Sequence, residues 1–171
     1  RDIDRLIKKN PESPNYKEDM GSIQSAIESS IKACQTRIAA IPSDISYPPQ
    51  LPVSGHAEEL VELLKKHQVL VVAGDTGSGK TTQLPKVCLQ AGFGRRGMIG
   101  HTQPRRLAAV SVADRIAEEL GAKIGEGVGF QIRFDDKSGE KSYLKLMTDG
   151  ILLAEIQQDK FLNKYEVLII D

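Results

Sequence analysis

Short apolar runs alternate with longer segments of helical periodicity along most of the chain after residue 68. Short apolar runs bounded by turn-forming residues are typical of strands buried on both faces, whereas longer segments with a period of about 3.6 residues are typical of helices. Five strands are predicted in this way: VLVVA (69–73), MIGHT (98–102), GVGFQIRF (127–134), YLKLMT (143–148) and EVLII (166–170). The alternation predicts an α/β fold with a parallel sheet covered by helices.

Helices are predicted between these strands at about 80–90, from Pro104 to about 121, and at 149–159. Proline suits the first position of a helix because its missing N–H has no intrahelical partner there. A further helix is predicted to open at Ser54 as its N-cap. It has acidic residues near its start and lysines at its end, which is the charge distribution that the helix dipole favours.

The chain divides into three parts. Residues 1–45 are polar and charged, with an apolar stripe at helical spacing from Ile23 to Ile38, and they predict a helical N-terminal extension. The segment SYPPQLPVS (46–54) predicts an extended, proline-rich linker, and residues 55–171 then form the main domain. Because the chain begins with Arg1 rather than Met and stops at the end of a predicted strand, we expect it to be a piece of a longer protein.

Composition indicates how the protein can bind nucleic acid, in which compartment it occurs and whether it enters a membrane. The chain carries 23 basic and 23 acidic residues, so its net charge is zero. Any nucleic acid must therefore bind to a local basic patch, because the net charge does not attract it. The two cysteines are far apart and form no C-x-x-C pair, which predicts buried thiols in a reducing compartment, the cytoplasm. No apolar run reaches membrane-spanning length, so we expect no membrane partner.

The clearest chemical signal is GDTGSGKT (74–81), which fits the phosphate-binding pattern G-x-x-x-x-G-K-[ST]. Glycines let the backbone approach a phosphate closely, and the loop amides together with the following helix N-terminus then point at the anion. Lys80 is predicted to neutralise the β- and γ-phosphates, and the Thr81 hydroxyl to ligate Mg²⁺. The predicted nucleotide-binding residues of this segment are Gly74, Asp75, Thr76, Gly77, Ser78, Gly79, Lys80, Thr81 and Thr82.

Asp171 follows the apolar run VLII at the end of the last predicted strand. In proteins with this phosphate loop, a carboxylate at the end of a neighbouring strand holds the Mg²⁺ that accompanies the nucleotide. We therefore predict Thr81 and Asp171 as metal ligands, and Lys80, Thr81 and Asp171 as the catalytic set. The alternative for Asp171 is a strand-end aspartate that caps a turn.

Three further segments identify a family: HTQPRRLAAVSVADRIAEELG (101–121), GEGVGFQIRFDDKSG (125–139) and LKLMTDGILLAEIQQD (144–159). Together with GDTGSGKTTQLPK and VLIID they resemble the first RecA-like domain of DEAH-box RNA helicases. The resemblance covers Ser46 to Asp171 and implies a P-loop NTPase fold, with ATP and Mg²⁺ as ligands. Asp75 stands where the family more often has glutamate, a difference that leaves the backbone cradle unchanged.

The resemblance also implies contacts to the backbone of single-stranded RNA. The positions that match the family's RNA-contact motifs are Thr102, Gln103, Arg105, Arg106, Arg133 and Thr148. Contacts to sugar and phosphate position a strand and carry little sequence information. For the arginines the alternative is a solvated surface, and for Thr148 it is a helix N-cap, which can coexist with a phosphate contact.

Arg115 matches the family position whose guanidinium stacks on the adenine, and this interaction tolerates different bases. The competing interpretation is a surface salt bridge to Asp114 or Glu119. Phe134, beside Arg133, is predicted to be a packing anchor rather than a platform for a base.

These observations predict the ATP-binding part of an ATP-dependent RNA helicase, in which hydrolysis drives translocation along RNA. We expect the chain alone to be inactive, because a second RecA-like domain supplies arginines to the site. Two other classes remain open: another P-loop ATPase, and a non-catalytic scaffold that binds nucleotide and docks a protein through its N-terminal helices.

Overall fold

The computed structural model describes residues 16–139 and 141–171. The charged opening of the N-terminal extension lies outside these residues. The helices are α1 (Tyr16–Ala40), α2 (Ala57–Lys66), α3 (Lys80–Gln90), α4 (Arg106–Glu119) and α5 (Asp149–Gln158), and a 3₁₀ turn, Pro52–His56, precedes α2. The strands are β1 (Met98–Gln103), β2 (Val128–Ile132), β3 (Asp135–Asp136), β4 (Leu144–Thr148) and β5 (Tyr165–Ile169).

The strands form one sheet in the order β3-β2-β4-β1-β5. All neighbours in this sheet run parallel except the short strand β3, which turns back against β2. Helices α4 and α3 pack on the sheet, and the core between them is fully buried at Ile99, Ile116 and Leu144. The mostly parallel sheet flanked by helices that the alternating pattern predicts is therefore confirmed.

The predicted strand at 69–73 is wrong. Val69 and Val71 are 78% and 88% exposed, and these residues pair with no strand in the described part of the chain. β-branched composition gives a segment the propensity for a strand, but a strand forms only where a second backbone supplies the ladder. The segment runs extended into the phosphate loop, and its apolar side chains face a cleft that β5 borders from the other side.

Two helices begin later than predicted. α2 begins at Ala57 after the 3₁₀ turn, and the hydroxyl of Ser54 is buried without a hydrogen bond instead of capping the helix. α4 begins at Arg106, because Arg105 is still extended (φ −124°, ψ 142°) and its carbonyl accepts the first helical bond from Ala109. Pro104 therefore lies in the turn between strand and helix.

The proline-rich segment is packed against the main domain. The Val53 amide donates to the Ser78 carbonyl at 3.1 Å, and the Val53 side chain is buried with Leu60 and Val87. The domain boundary at 46–54 remains a prediction, but this segment contributes directly to the shape of the phosphate loop.

Helix α1 leaves its apolar stripe largely uncovered by described residues. Ile27, Ile31 and Ile38 are 48%, 52% and 47% exposed, whereas Ala40 and Ile41 at the end of the helix pack on the core. The predicted helix is therefore present, and among the described residues its C-terminal end packs on the core.

Candidate functional site

The phosphate loop connects the extended segment to helix α3. Gly77 and Gly79 have φ values of 83° and 92°, in the left-handed region that favours glycine. A Cβ on Gly79 would lie 2.9 Å from Leu51 Cδ1, so the packed proline-rich segment also requires glycine here. Gly79 is the N-cap residue of α3, which places the positive end of that helix at the loop.

The Lys80 ammonium lies inside the loop. Its Nζ donates to the carbonyl oxygens of Gly74 at 2.5 Å and Asp75 at 2.8 Å, and to Ser78 Oγ at 3.2 Å. An ammonium group has three donors, and here all three are directed at loop oxygens. A phosphate oxygen is an acceptor of the same kind, so the arrangement is suited to an anion held between the loop and Lys80.

Two clefts border the loop. One has a volume of about 650 Å³, and its loop residues are Gly74, Asp75, Thr76, Gly77, Ser78 and Lys80. The other has a volume of about 970 Å³ and combines a polar end, formed by Lys80, Thr81 and Asp171, with apolar walls from the extended segment and β5. Thr82 lies in the first turn of α3, where its hydroxyl donates to the Gly79 carbonyl at 3.4 Å.

Thr81 and Asp171 are brought into direct contact, although 90 residues separate them in sequence: Thr81 Oγ1 donates to Asp171 Oδ2 at 2.6 Å. The Gln103 amide donates to the same carboxylate oxygen at 2.9 Å. Burial raises the pKa of Asp171, but the bonds from Thr81 and Gln103 and the neighbouring His101 outweigh burial and hold this pKa below its ordinary value. The carboxylate is therefore ionised at neutral pH.

The pair fits a divalent cation. The Thr81 hydroxyl donates its proton to Asp171, so its oxygen lone pairs remain available beside an ionised carboxylate, and oxygen ligands of this kind are those that Mg²⁺ prefers. No group of three or more His, Cys, Asp or Glu side chains with metal-binding geometry occurs among the described residues. A cation here would take Thr81 and Asp171 from the protein and complete its shell with phosphate and water.

His101 is a residue of this site that the sequence analysis missed. It is fully buried on β1, with its Nε2 atom 3.2 Å from Gln103 Nε2 and 3.7 Å from Asp171 Oδ2. Burial lowers its pKa to about 4 against the opposing effect of Asp171, so the imidazole is neutral at pH 7. The sequence could have indicated His101, because it lies two residues before Gln103 and alternate residues of a strand lie on the same face.

The carboxyl ends of three parallel strands meet in one row beside the loop. Gln103 at the end of β1 is in register with Thr148 at the end of β4. On the other side, His101 pairs with Ile169 of β5, so Asp171 lies level with Gln103 two residues further on. Ligand sites in sheets of this kind lie outside the carboxyl ends of the strands.

The predicted RNA-contact residues separate into exposed and buried ones. Arg105 and Arg106 are exposed directly beyond the end of β1, and Arg133 is exposed in the turn between β2 and β3. Thr148 is the N-cap residue of α5, but its side chain makes no capping hydrogen bond. In contrast, the side chains of Thr102 and Gln103 are 1% and 5% exposed, so they do not face the surface.

The predicted role of Phe134 is wrong. Its side chain is 84% exposed, so it anchors no packing within the described residues. The Arg133 guanidinium lies 5.2 Å from the centre of its ring, a distance at which a cation and an aromatic face attract each other. The turn between β2 and β3 consists only of Arg133 and Phe134.

Arg115 takes part in a charged network that joins α4 to α3. Its Nε donates to Glu119 Oε1 at 2.9 Å, and its Nη1 lies 3.0 Å from Glu118 Oε2. The other oxygen of Glu119 accepts from the buried ammonium of Lys86 at 2.8 Å and from the Gln83 amide at 2.9 Å. The salt bridge to Glu119 that was weighed as the alternative for Arg115 is thus present, and the Arg115 side chain remains 55% exposed.

None of the helices in the described part of the chain has the length and apolar character that crossing a bilayer requires.

Cys88 is buried in the core and burial raises its pKa to about 12, as expected for a thiol that only fills space.

The chain is similar in sequence to ATP-dependent RNA helicases of several organisms. No protein-family model matches the chain. It is 58% identical over 149 residues to the ATP-dependent RNA helicase HrpA homolog of Haemophilus influenzae and 57% identical over 135 residues to ATP-dependent RNA helicase HrpA of Escherichia coli. These alignments cover 87% and 79% of this chain, but only 11% and 10% of the relatives. A 40% identity to ATP-dependent RNA helicase DEAH13 of Arabidopsis thaliana covers 99% of this chain and 15% of that relative.

Proposed function

Because the chain belongs to the family of DEAH-box ATP-dependent RNA helicases, we propose that residues 55–171 form the ATP-binding part of such a helicase. In the whole protein, hydrolysis of ATP drives translocation along single-stranded RNA and unwinding of its duplexes. The observation that carries the proposal is the contact between Thr81 and Asp171 at 2.6 Å. It lies directly beside the phosphate loop, whose carbonyl oxygens accept hydrogen bonds from Lys80. This combination supplies an anion cradle and a metal carboxylate at one point.

The residues of the loop bind and orient the nucleotide in this proposal. The Lys80 ammonium exchanges the loop carbonyls for oxygens of the β- and γ-phosphates, and the amides at the start of α3 donate to the same anion. Thr81 and Asp171 would hold Mg²⁺, and the ion would supply positive charge beside the phosphates. Arg115, fixed at its edge by Glu119, offers its face to the base.

RNA binds in this proposal along the carboxyl edge of the sheet. Arg105 and Arg106 add their guanidinium groups to the free amides at the start of α4, and both kinds of donor suit a phosphate oxygen. Arg133 and Thr148 extend the same surface from β2 and β4. Since the whole chain has no net charge, binding depends on this patch alone.

Replacing both Arg105 and Arg106 with alanine is expected to weaken binding of single-stranded RNA to the chain for every sequence tested. The plot of log affinity against log salt concentration is expected to become shallower by about 1.4, since each lost phosphate contact to a single strand removes about 0.7 from the slope. Fluorescence anisotropy of a labelled oligouridylate at several salt concentrations measures both quantities.

The matched control is the double replacement of Arg95 and Arg96, two exposed arginines that precede β1 at the opposite edge of the sheet. We expect it to leave RNA affinity and the salt slope close to those of the original chain. Equal losses for the two double variants would show that RNA binding has no preference for the carboxyl edge, and the proposed surface would then be wrong.

The 171-residue chain is expected to bind ATP without turning it over at the rate of an enzyme. Among the described residues, those that line the two clefts beside the phosphate loop include no arginine. An arginine that stabilises the transferring phosphoryl group contributes about 10³–10⁵ to the rate in related enzymes. Release of phosphate from ATP, with and without RNA, tests this expectation. Rapid turnover that Lys80→Ala abolishes would contradict it and would identify an independent ATPase.

A further inference from the structure

The side chain of Gln103 has a different environment from the one expected for an RNA contact. It ends the strand β1, which lies between β4 and β5, and only 5% of the residue is exposed. Its amide nitrogen donates to Asp171 Oδ2 at 2.9 Å. The polar end of this side chain is therefore directed into the nucleotide site and away from solvent.

The bond from Gln103 fixes the orientation of the Asp171 carboxylate. Oδ2 accepts from both Gln103 and Thr81, at 2.9 Å and 2.6 Å, and these two donors reach it from different elements, β1 and α3. Rotation of the carboxylate about its terminal bond would break both hydrogen bonds. A carboxylate has about four lone-pair positions, so acceptance of two bonds at Oδ2 leaves Oδ1 available to a cation.

His101 fixes the orientation of the Gln103 amide in turn. The amide has two N–H donors; one is directed at Asp171, and the other faces His101 Nε2 at 3.2 Å. A neutral imidazole accepts through Nε2 in the tautomer that carries its proton on Nδ1. In that tautomer both partners of the amide require a donor, which favours the amide orientation with nitrogen towards the carboxylate.

Gln103 also lies between the proposed metal site at Asp171 and the proposed RNA surface. It is in register with Thr148 on β4 and lies two residues before Arg105, and both of these residues belong to the proposed RNA surface. A displacement of the end of β1 therefore moves the donor that holds Asp171.

We propose that Gln103 is a positioning residue that orients Asp171 for the metal of the bound nucleotide and links that carboxylate to the RNA-facing end of β1. The proposal rests on the proposed function, because it requires that Asp171 meets a nucleotide-bound metal. It assigns Gln103 to the metal site through Asp171 instead of to direct contact with RNA.

The test is a metal titration of the whole 171-residue chain carrying Gln103→Met, which keeps the length of the side chain but removes the amide. Mn²⁺ serves as the probe, followed by electron paramagnetic resonance with saturating ADP. We expect Mn²⁺ affinity to fall about tenfold, since loss of a residue that orients a metal ligand lowers metal affinity about 10- to 100-fold. ADP affinity and RNA affinity, both measured in the presence of EDTA, and the thermal midpoint are expected to stay unchanged.

Two variants separate positioning from general damage. Gln131→Met is the matched control, because Gln131 lies on β2 and its amide oxygen accepts from Lys145, away from the metal site. Gln103→Asn retains a buried amide that is one methylene too short to reach Asp171, and we expect it to lower Mn²⁺ affinity as Gln103→Met does.

The link to RNA is tested by repeating the Mn²⁺ titration with saturating oligouridylate. We expect RNA to change Mn²⁺ affinity several-fold in the original chain and to leave it unchanged in Gln103→Met. An unchanged Mn²⁺ affinity in Gln103→Met would overturn the positioning role. An equal RNA effect in both chains, or none in the original chain, would overturn the link. If the original chain shows no metal-dependent ADP binding at all, the proposed function itself fails, and the inference fails with it.

Discussion

Replacing Lys80 with alanine is expected to weaken ATP binding by the 171-residue chain about 100-fold or more. The Lys80 ammonium is already held inside the phosphate loop by three oxygen acceptors, so it needs little reordering to meet the β- and γ-phosphates. Hydrogen bonds to charged groups each contribute about 1.5–3 kcal/mol, and the loss of two of them corresponds to at least two decades in affinity. Isothermal titration with a non-hydrolysable ATP analogue in the presence of Mg²⁺ measures the change.

The control for this prediction is Lys160→Ala, which removes one exposed lysine from the turn after α5. It changes the net charge equally, so any general electrostatic effect on the anionic ligand appears in both variants. Similar affinities for the Lys80 and Lys160 variants would mean that the loop does not bind the phosphates through its lysine. The thermal midpoint of Lys80→Ala is expected to remain close to the original one, since Lys80 lies in a cleft and not in the core.

Replacing Glu119 with alanine is expected to lower the free energy of unfolding by about 3–5 kcal/mol. The reason is Lys86, which is 1% exposed and whose ammonium lies 2.8 Å from Glu119 Oε2. Removal of one partner of a buried ion pair leaves a charge without compensation, which costs about 3–5 kcal/mol. Gln83 loses an acceptor in the same step. Urea unfolding followed by circular dichroism gives the difference, provided that the slope with urea stays constant.

Glu118→Ala is the matched control for Glu119→Ala, because it removes a carboxylate from the neighbouring position. Glu118 pairs with Arg115 at 3.0 Å but its side chain is 73% exposed, and exposed pairs contribute about 0–1 kcal/mol. The double variant Lys86→Met with Glu119→Leu removes both charges and is expected to recover most of the lost stability. It also provides a folded protein if Glu119→Ala alone does not fold. Equal small losses for Glu118→Ala and Glu119→Ala would contradict the prediction.

The Glu119 network also illustrates what separate sequence motifs cannot show. Lys86 belongs to the helix that follows the phosphate loop, and Arg115 to the helix that follows β1. The sequence offers Glu119 as a salt-bridge partner for Arg115 on the same helix, but it gives no sign that Glu119 also accepts from Lys86 on the other helix. Its contacts depend on the packing of α3 against α4, and sequence spacing gives no measure of that packing.

Predictions from periodicity were most accurate where a segment provides its own hydrogen bonds or has a partner. Helix α3 begins and ends at the predicted residues, because the hydrogen bonds of a helix form between residues close in sequence and need no second segment. The apolar run at 69–73 is rich in β-branched residues, as the run at β5 is, yet only the latter pairs with a described strand. A strand is defined by its neighbour, and the neighbour is a property of the fold.

The sequence alone determined the α/β class, the phosphate loop and the family, since these depend on local periodicity and on residue types at fixed spacing within short segments. It also predicted Lys80, Thr81 and Asp171 as one catalytic set, of which Thr81 and Asp171 are in contact. Only the tertiary structure decided that the Gln103 amide donates to Asp171, that His101 lies beside this amide, and that Glu119 binds Lys86 as well as Arg115. These contacts join residues on different strands and helices, and the direction of a side chain across an interface is set by packing and by the need to satisfy buried polar groups. Neither condition is written in the local order of residues.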